Sequence, residues 1–133
     1  MPTVIDRAVK ALPADGLQFE ATSHTLTVLP ATDDGFPVVL VVHGDREFEV
    51  RGEGWSERFA RAEDAYDCFL FLLSEQGRLK VTMRGETPVE WQVEKREYGL
   101  WVPAHPVRRH LVPLWRRATT VWKQNHVFRQ EPS

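Results

Sequence analysis

Hydrophobic residues recur with two different periods along the chain, and the changes of period divide it into helices and strands. The apolar positions of Val4–Leu12 follow a helical spacing, and Pro13 ends that segment. From Gly16 the residues alternate between apolar and polar, with a change of parity at Thr22–Thr25 that indicates a turn. The chain is therefore predicted to begin with one helix and two short strands.

A tight hairpin is predicted at Gly44-Asp45, between the strands Phe36–His43 and Arg46–Arg51. A two-residue loop that starts with glycine suits the turns that match strand twist. Pairing across this loop sets Val41 opposite Phe48. The first strand is then apolar on both faces, whereas its partner is apolar on one face only. The side chains left without a covering layer are Val38, Leu40 and Val42.

A second helix is predicted over about Arg61–Gln76, after an irregular exit from the sheet over Gly52–Ala60. Acidic residues occupy its first turns, where the helix dipole favours them, and Gly77 stands at the expected C′ position. Leu70 and Phe71 extend its apolar stripe almost around the full circumference. We expect this surplus to be covered by another layer of the same chain or by a second chain.

Alternation returns in the C-terminal half of the chain. It predicts a hairpin of Arg78–Arg84 with Val89–Lys95 and a third strand over Tyr98–Val102. A helix is then predicted from about Pro113. Because the run Thr119-Thr120-Val121 is β-branched, a strand remains the alternative for this segment. Residues 127–133 are expected to form a frayed tail.

These elements give the order α–ββ–ββ–α–βββ–α within one domain spanning residues 1–133. The predicted fold is α+β, with a largely antiparallel sheet of about six to seven strands and two main helices. A length of 133 residues with 42% hydrophobic and 27% charged residues fits one globular domain. One cysteine, no apolar run long enough to cross a bilayer and no signal-like leader predict a cytoplasmic protein without membrane contact.

Charge is divided unevenly along the chain. Residues 1–102 carry 11 basic and 18 acidic side chains, whereas residues 103–133 carry 6 basic side chains and 1 acidic one. A basic segment on an acidic body requires an internal acidic partner, a second copy or an anionic ligand. The candidate anionic-partner patch consists of Arg108, Arg109, Arg116, Arg117 and Lys123.

The same segment could bind nucleic acid, because Trp115 and Trp122 add aromatic planes to its cations. These two tryptophans are seven positions apart, so a helix would place both on one face together with Leu114, Ala118 and Val121. That face favours a core position for both rings. Nucleic acid is therefore an unlikely partner on this interpretation.

No motif in the sequence identifies a reaction. The histidines lack the spacing of a zinc site, the serines lack a nucleophile elbow, and Cys68 lies in an apolar run that predicts an inert, buried thiol. We expect no metal and no cofactor. The enzyme alternative needs a pocket that gathers residues distant in sequence, such as His43, Asp45, Glu53 and Tyr66.

The apolar excess and the missing catalytic motif favour a non-catalytic binding or scaffold protein that acts through protein–protein contacts. We expect a homodimer whose interface uses Val38, Leu40, Val42, Leu70 and Phe71. In its element order, size and net acidity the chain resembles the type III secretion chaperones. That resemblance implies apolar strand and helix surfaces that bind an extended partner segment.

Overall fold

The computed structural model of this chain describes residues 3–13, 17–109 and 117–128. These residues form two helices and two antiparallel sheets of five strands each. In chain order the elements are α1 (Val4–Ala11), β1 (Phe19–Ala21), β2 (Thr25–Val28), β3 (Val38–Gly44), β4 (Glu47–Gly52), β5 (Trp55–Phe59), α2 (Ala62–Leu73), β6 (Gly77–Arg84), β7 (Thr87–Glu97), β8 (Leu100–Pro103), β9 (Arg108–Arg109) and β10 (Ala118–Lys123).

The α+β class and the antiparallel pairing are confirmed, but the prediction of one sheet of six to seven strands is wrong. The first sheet has the order β1-β2-β3-β4-β5, and the second has the order β10-β6-β7-β8 with β9 also paired to β7. The stretch predicted to leave the sheet irregularly contains β5, which completes the first sheet. The chain then passes through α2 into the second sheet.

The register of the β3–β4 hairpin differs from the predicted one by a single residue. Val42, not Val41, lies opposite Phe48, and a bulge follows between Val42 and Gly44. Because side chains alternate across a sheet, this shift exchanges the two faces of β3. Val38 and Leu40 consequently point toward the core, where neither has any exposed surface.

One hydrophobic cluster joins the two sheets and both helices. Helix α2 packs across β3 and β4 and reaches β5 and β6, while α1 packs on α2 and β2. The largest fully buried side chains are Trp55, Phe36 and Phe69. Helix α2 ends at Leu73 with Ser74 as its C-cap, so Gly77 is the first residue of β6 and not a C′ residue.

The C-terminal segment is a strand where the sequence predicted a helix. Ala118–Lys123 pairs along β6, with Val121 opposite Val81. The segment is therefore the strand that its β-branched residues favour, which was the alternative prediction. The start of the predicted helix, from Pro113 through Arg116, lies outside the described residues. At the predicted tail, the N–H groups of Val127 and Phe128 donate to the carbonyl of Leu73 at 3.1 and 3.2 Å, so these two residues are held. Residues 129–133 are not described.

Candidate functional site

A cleft of about 510 Å³ opens between β5, helix α2 and the segment that follows β8. Sheet pairing and the helix bring together residues that are up to 48 positions apart in the sequence. The lining consists of Glu57, Phe59, Asp64, Asp67, Cys68, Phe71 and His105. The cleft thus combines three carboxylates, an imidazole, a thiol and two aromatic rings, which is the mixture of apolar walls and converging polar groups typical of a binding site.

Glu57 and His105 form the only direct hydrogen bond that the structure describes between side chains of this cleft. The Nδ1 atom of His105 lies 2.6 Å from Oε1 of Glu57, and the two side chains are 26% and 21% exposed. The carboxylate therefore orients the imidazole through Nδ1, and Nε2 is the ring nitrogen left to meet a ligand.

The backbone holds His105 in an unusual conformation. Its φ is +64°, in the left-handed region that residues with a side chain disfavour. The ring is packed against Trp55 with centroids 5.8 Å apart and against Phe71 at 5.9 Å. The Trp55 indole also donates to the carbonyl of Pro106 at 2.7 Å, which anchors the segment on β5. The imidazole position is therefore enforced by its surroundings.

The Cys68 thiol lines the cleft but is only 3% exposed. Burial, reinforced by the negative charge of Glu57, raises the pKa of Cys68 far above the neutral range. The sequence prediction of a buried cysteine is confirmed. A thiol in this state is not a nucleophile at neutral pH.

Helical spacing places the remaining acidic side chains of the cleft on one face of α2. Asp64, Asp67 and Phe71 are separated by three and four residues, so they follow one another along the helix surface. Both aspartates are exposed, and neither forms an ion pair within the part of the chain that the structure describes. Their charges therefore face the solvent of the cleft.

A second depression of about 300 Å³ adjoins the cleft on the same helix. It shares Asp67 and Phe71 with the cleft, and its lining is completed by Ala11, Leu70, Ser74, Gln76 and Phe128. We call the two depressions together the α2 groove. Leu70 and Phe71, two of the predicted interface residues, line this groove as half-buried side chains.

The other three predicted interface residues lie elsewhere. Val38 and Leu40 are fully buried, and Val42 is partly buried and packed against the same core cluster. Helix α2 of the same chain packs over β3 and covers this face. Val38 and Leu40 are therefore covered within the chain, whereas Val42 keeps part of its surface exposed.

No described pocket gathers the four residues proposed for the enzyme alternative, which were His43, Asp45, Glu53 and Tyr66. His43 bonds Glu49 at 2.8 Å on the solvent-facing side of the first sheet. Glu53 accepts a hydrogen bond from a tryptophan of β7. The centroid of the Tyr66 ring lies 4.3 Å from the guanidinium carbon of Arg7 in α1. Asp45 is exposed at the hairpin turn.

The predicted anionic-partner patch is partly neutralised by the acidic body. Arg109 pairs with Glu90, and Lys123 pairs with Glu53. Arg108 donates to a backbone carbonyl of β5 at 2.7 Å. Arg117 is exposed, and Arg116 lies outside the described residues. Among the residues that the structure describes, no group of three or more His, Cys, Asp or Glu side chains is arranged to hold a metal ion.

Comparison with known protein families, with curated proteins and with solved structures finds no match for this chain. Within the described residues, no helix is both long and apolar enough to cross a membrane. The sequence did not predict the cleft, because Glu57 lies in a stretch that was expected to be irregular and the histidines, His105 among them, show no recognisable spacing. Only the fold brings them together.

Proposed function

We propose that this chain is a non-catalytic binding protein whose α2 groove receives an extended, basic segment of a partner protein. The observation that carries this proposal is the pairing of an acidic cleft with an apolar depression on one helix, joined through Asp67 and Phe71. A partner segment that carries one cation and one apolar side chain matches both parts.

The charge of the cleft selects a cationic group. Glu57, Asp64 and Asp67 contribute three negative charges, opposed within the lining by one imidazole. A lysine or arginine side chain in this space gains attraction from the carboxylates and from the face of Phe71. Because both aspartates are exposed, each contact contributes only about 0.2–1 kcal/mol, and the binding should weaken with salt.

The apolar depression selects the neighbouring side chain of the partner. Leu70 and Phe128 present partly buried hydrophobic surface beside Phe71. In an extended segment, alternate side chains lie about 7 Å apart on one face, so a basic and an apolar residue can enter adjacent depressions. The binding mode is that expected of the chaperone-like alternative derived from the element order.

Catalysis finds less support in the same geometry. His105 has an orienting carboxylate, but no described hydroxyl or thiol accepts a hydrogen bond from its ring. Burial keeps Cys68 in its neutral, unreactive form. The cleft therefore offers recognition without an activated nucleophile.

Binding can be tested with two fluorescein-labelled hexapeptides that carry serine at every second position. On one face of the extended peptide, leucine then alternates with arginine in the first peptide and with glutamate in the second. Fluorescence anisotropy should show binding of the basic peptide only, and amide shifts in NMR spectra should cluster at α2 and at residues 104–105. Asp67→Asn should weaken binding about threefold or more, because it removes the carboxylate common to both depressions.

Asp45→Asn is the matched control, since it makes the same change at an exposed hairpin turn. Equal loss in both variants, or shifts outside the α2 groove, would contradict the proposal. Sedimentation velocity distinguishes a second copy as the occupant, because the expected homodimer would then dissociate when Leu70 is changed to Asp.

A further inference from the structure

The solvent-facing side of the second sheet carries a stack of alternating cations and indoles. The guanidinium carbon of Arg78 lies 4.3 Å from the ring centroid of Trp101 and 5.2 Å from that of Trp122. Arg96 lies 5.0 Å from the Trp101 centroid. These four residues come from β6, β8, β10 and β7, so the stack crosses the sheet. We call it the Trp–Arg ladder.

The same face concentrates positive charge although the whole chain has a formal charge of −2. The strand registers place five basic and two acidic side chains on it, namely Arg78, Lys80, Arg84, Arg96 and Arg109 against Glu90 and Glu94. Both carboxylates are engaged by arginines of the face itself, Glu94 by Arg78 at 2.7 Å and Glu90 by Arg109. A net positive field remains around the ladder.

Trp122 supplies an exposed aromatic plane in this field. A helix would have turned it toward the core, but in β10 it lies on the outer face beside Lys80, and 49% of its surface is exposed. An indole with this exposure offers a flat ring face on which another planar ring can stack. The indole of Trp122 and the ammonium group of Lys80 belong to residues that lie directly opposite each other on the adjacent strands β10 and β6.

We infer that the Trp–Arg ladder face binds single-stranded nucleic acid. An unpaired base stacks on the exposed indole of Trp122, and Lys80 contacts the adjoining phosphate, while the other arginines of the face supply the surrounding positive field. Base-paired duplex leaves no free base face to stack, so single strands are preferred. This inference concerns a different face of the molecule from the α2 groove and does not depend on it.

The inference can be tested by fluorescence anisotropy with labelled dT12 and U12 oligonucleotides at 50 mM salt, with a 12-base-pair duplex and polyglutamate as comparison ligands. Binding of either single strand, weakened by salt, is expected, and the two single strands distinguish DNA from RNA. The Trp122 indole N–H signal of the wild-type protein should shift on addition of the oligonucleotide. Equal affinity for polyglutamate would overturn the inference, as would an unshifted indole signal.

Variants separate stacking from general electrostatics. Trp122→Ala should weaken single-strand binding at least about fivefold, the loss expected for one stacked base. Lys80→Gln should reduce the slope of log K against log salt by about 0.7, the value of one phosphate contact on a single strand. Lys10→Gln, at an exposed position of α1, is the matched control and should change neither the affinity nor the salt slope. Wild-type affinity in a folded Trp122→Ala protein would overturn the inference, and the indole shift decides if that variant does not fold.

Discussion

The side chain of Asn125 accepts a hydrogen bond from the backbone N–H of Phe36 at 3.1 Å through its Oδ1 atom. Its Nδ2 atom donates to the carbonyl of Leu72, also at 3.1 Å. Asn125 is 3% exposed. One amide thus joins the loop before β3, the end of α2 and the segment after β10, and it satisfies two backbone groups that packing would otherwise leave unpaired.

Asn125→Ala should therefore lower the free energy of unfolding by about 1–3 kcal/mol, because it leaves both backbone partners buried without a hydrogen bond. Urea denaturation followed by circular dichroism measures the change. Gln18→Ala removes a side-chain amide at an exposed position and should stay within about 0.5 kcal/mol of wild type. A loss at Asn125 no larger than that of the control would show that the two hydrogen bonds contribute little.

Gly54 is needed because the Trp91 indole occupies the space of a side chain. A Cβ atom at Gly54 would lie 2.3 Å from a ring carbon of Trp91, whereas one at Gly44 would meet nothing within 4 Å. The indole cannot yield easily, since it is 5% exposed and its N–H donates to Glu53 at 3.1 Å. This contact helps to join the turn before β5 to the second sheet.

Gly54→Ala should destabilise the protein by about 1–3 kcal/mol through overpacking. Gly44→Ala is the matched control and should change the stability by less than about 0.5 kcal/mol. Thermal unfolding and near-ultraviolet circular dichroism report the two variants. If Gly54→Ala is as stable as Gly44→Ala and leaves the tryptophan signal unchanged, the close approach of Trp91 is not a constraint.

The sequence pattern was sufficient where local signals and sheet alternation agreed. The predicted hairpin of Arg78–Arg84 with Val89–Lys95 is present, with Leu79 opposite Val93 and Val81 opposite Trp91 and a bulge between Thr82 and Met83 nearer its turn. Its strands are apolar on one face only, so alternation indicates which side chains point inward. The β3–β4 register could not be predicted in the same way. Because β3 is apolar on both faces, its residue pattern does not show which face points toward the core. A bulge, which has no signature in the residue types, decided it.

The candidate site was less accessible to sequence analysis than the fold. Leu70 and Phe71 were identified because a helix apolar on every side is conspicuous in the sequence. The contact of Glu57 with His105 was not, because it depends on how β5 and the segment after β8 meet in space. Trp122 was assigned to the core because seven-residue spacing from Trp115 indicates a shared face only in a helix, and that assignment failed when the segment proved to be a strand.

His126 should make stability depend on pH above about pH 6.5. Its ring nitrogens contact Asp34 at 2.9 Å and Glu75, and these carboxylates raise the pKa of His126 above its ordinary value of 6.5. The charged imidazole therefore stabilises the fold fully below about pH 6.5, and this contribution is lost as the pH rises through the raised value. Urea unfolding between pH 5.5 and 9 should show the decline.

His126→Gln should flatten that profile, while His24→Gln, at an exposed turn, should leave it unchanged. An NMR titration of the His126 ring gives the folded-state pKa directly. A value at or below that of a free imidazole would contradict the assignment of the two carboxylates as its partners.

Glu49 should determine stability at the acidic end. Its carboxylate is held mainly by two hydrogen bonds from Arg51, at 3.0 and 3.1 Å, and also by His43 at 2.8 Å. These partners lower the pKa of Glu49 from 4.5 to about 2 although its side chain is 8% exposed and burial acts in the opposite direction. The resulting stabilisation, on the order of 1–3 kcal/mol, is present above about pH 4.5 and is lost as the pH falls toward 2.

Glu49→Gln should therefore lower the free energy of unfolding at pH 7 and reduce its dependence on pH between 4.5 and 2. Glu47→Gln makes the same change two residues earlier on β4, where the side chain is 55% exposed, and should have a smaller effect at both pH values. Denaturation curves at pH 7 and pH 3 compare the two. If Glu47→Gln costs as much as Glu49→Gln, or if the wild-type and Glu49→Gln curves run parallel down to pH 2, the cluster of Arg51 and His43 does not hold this carboxylate in its charged form.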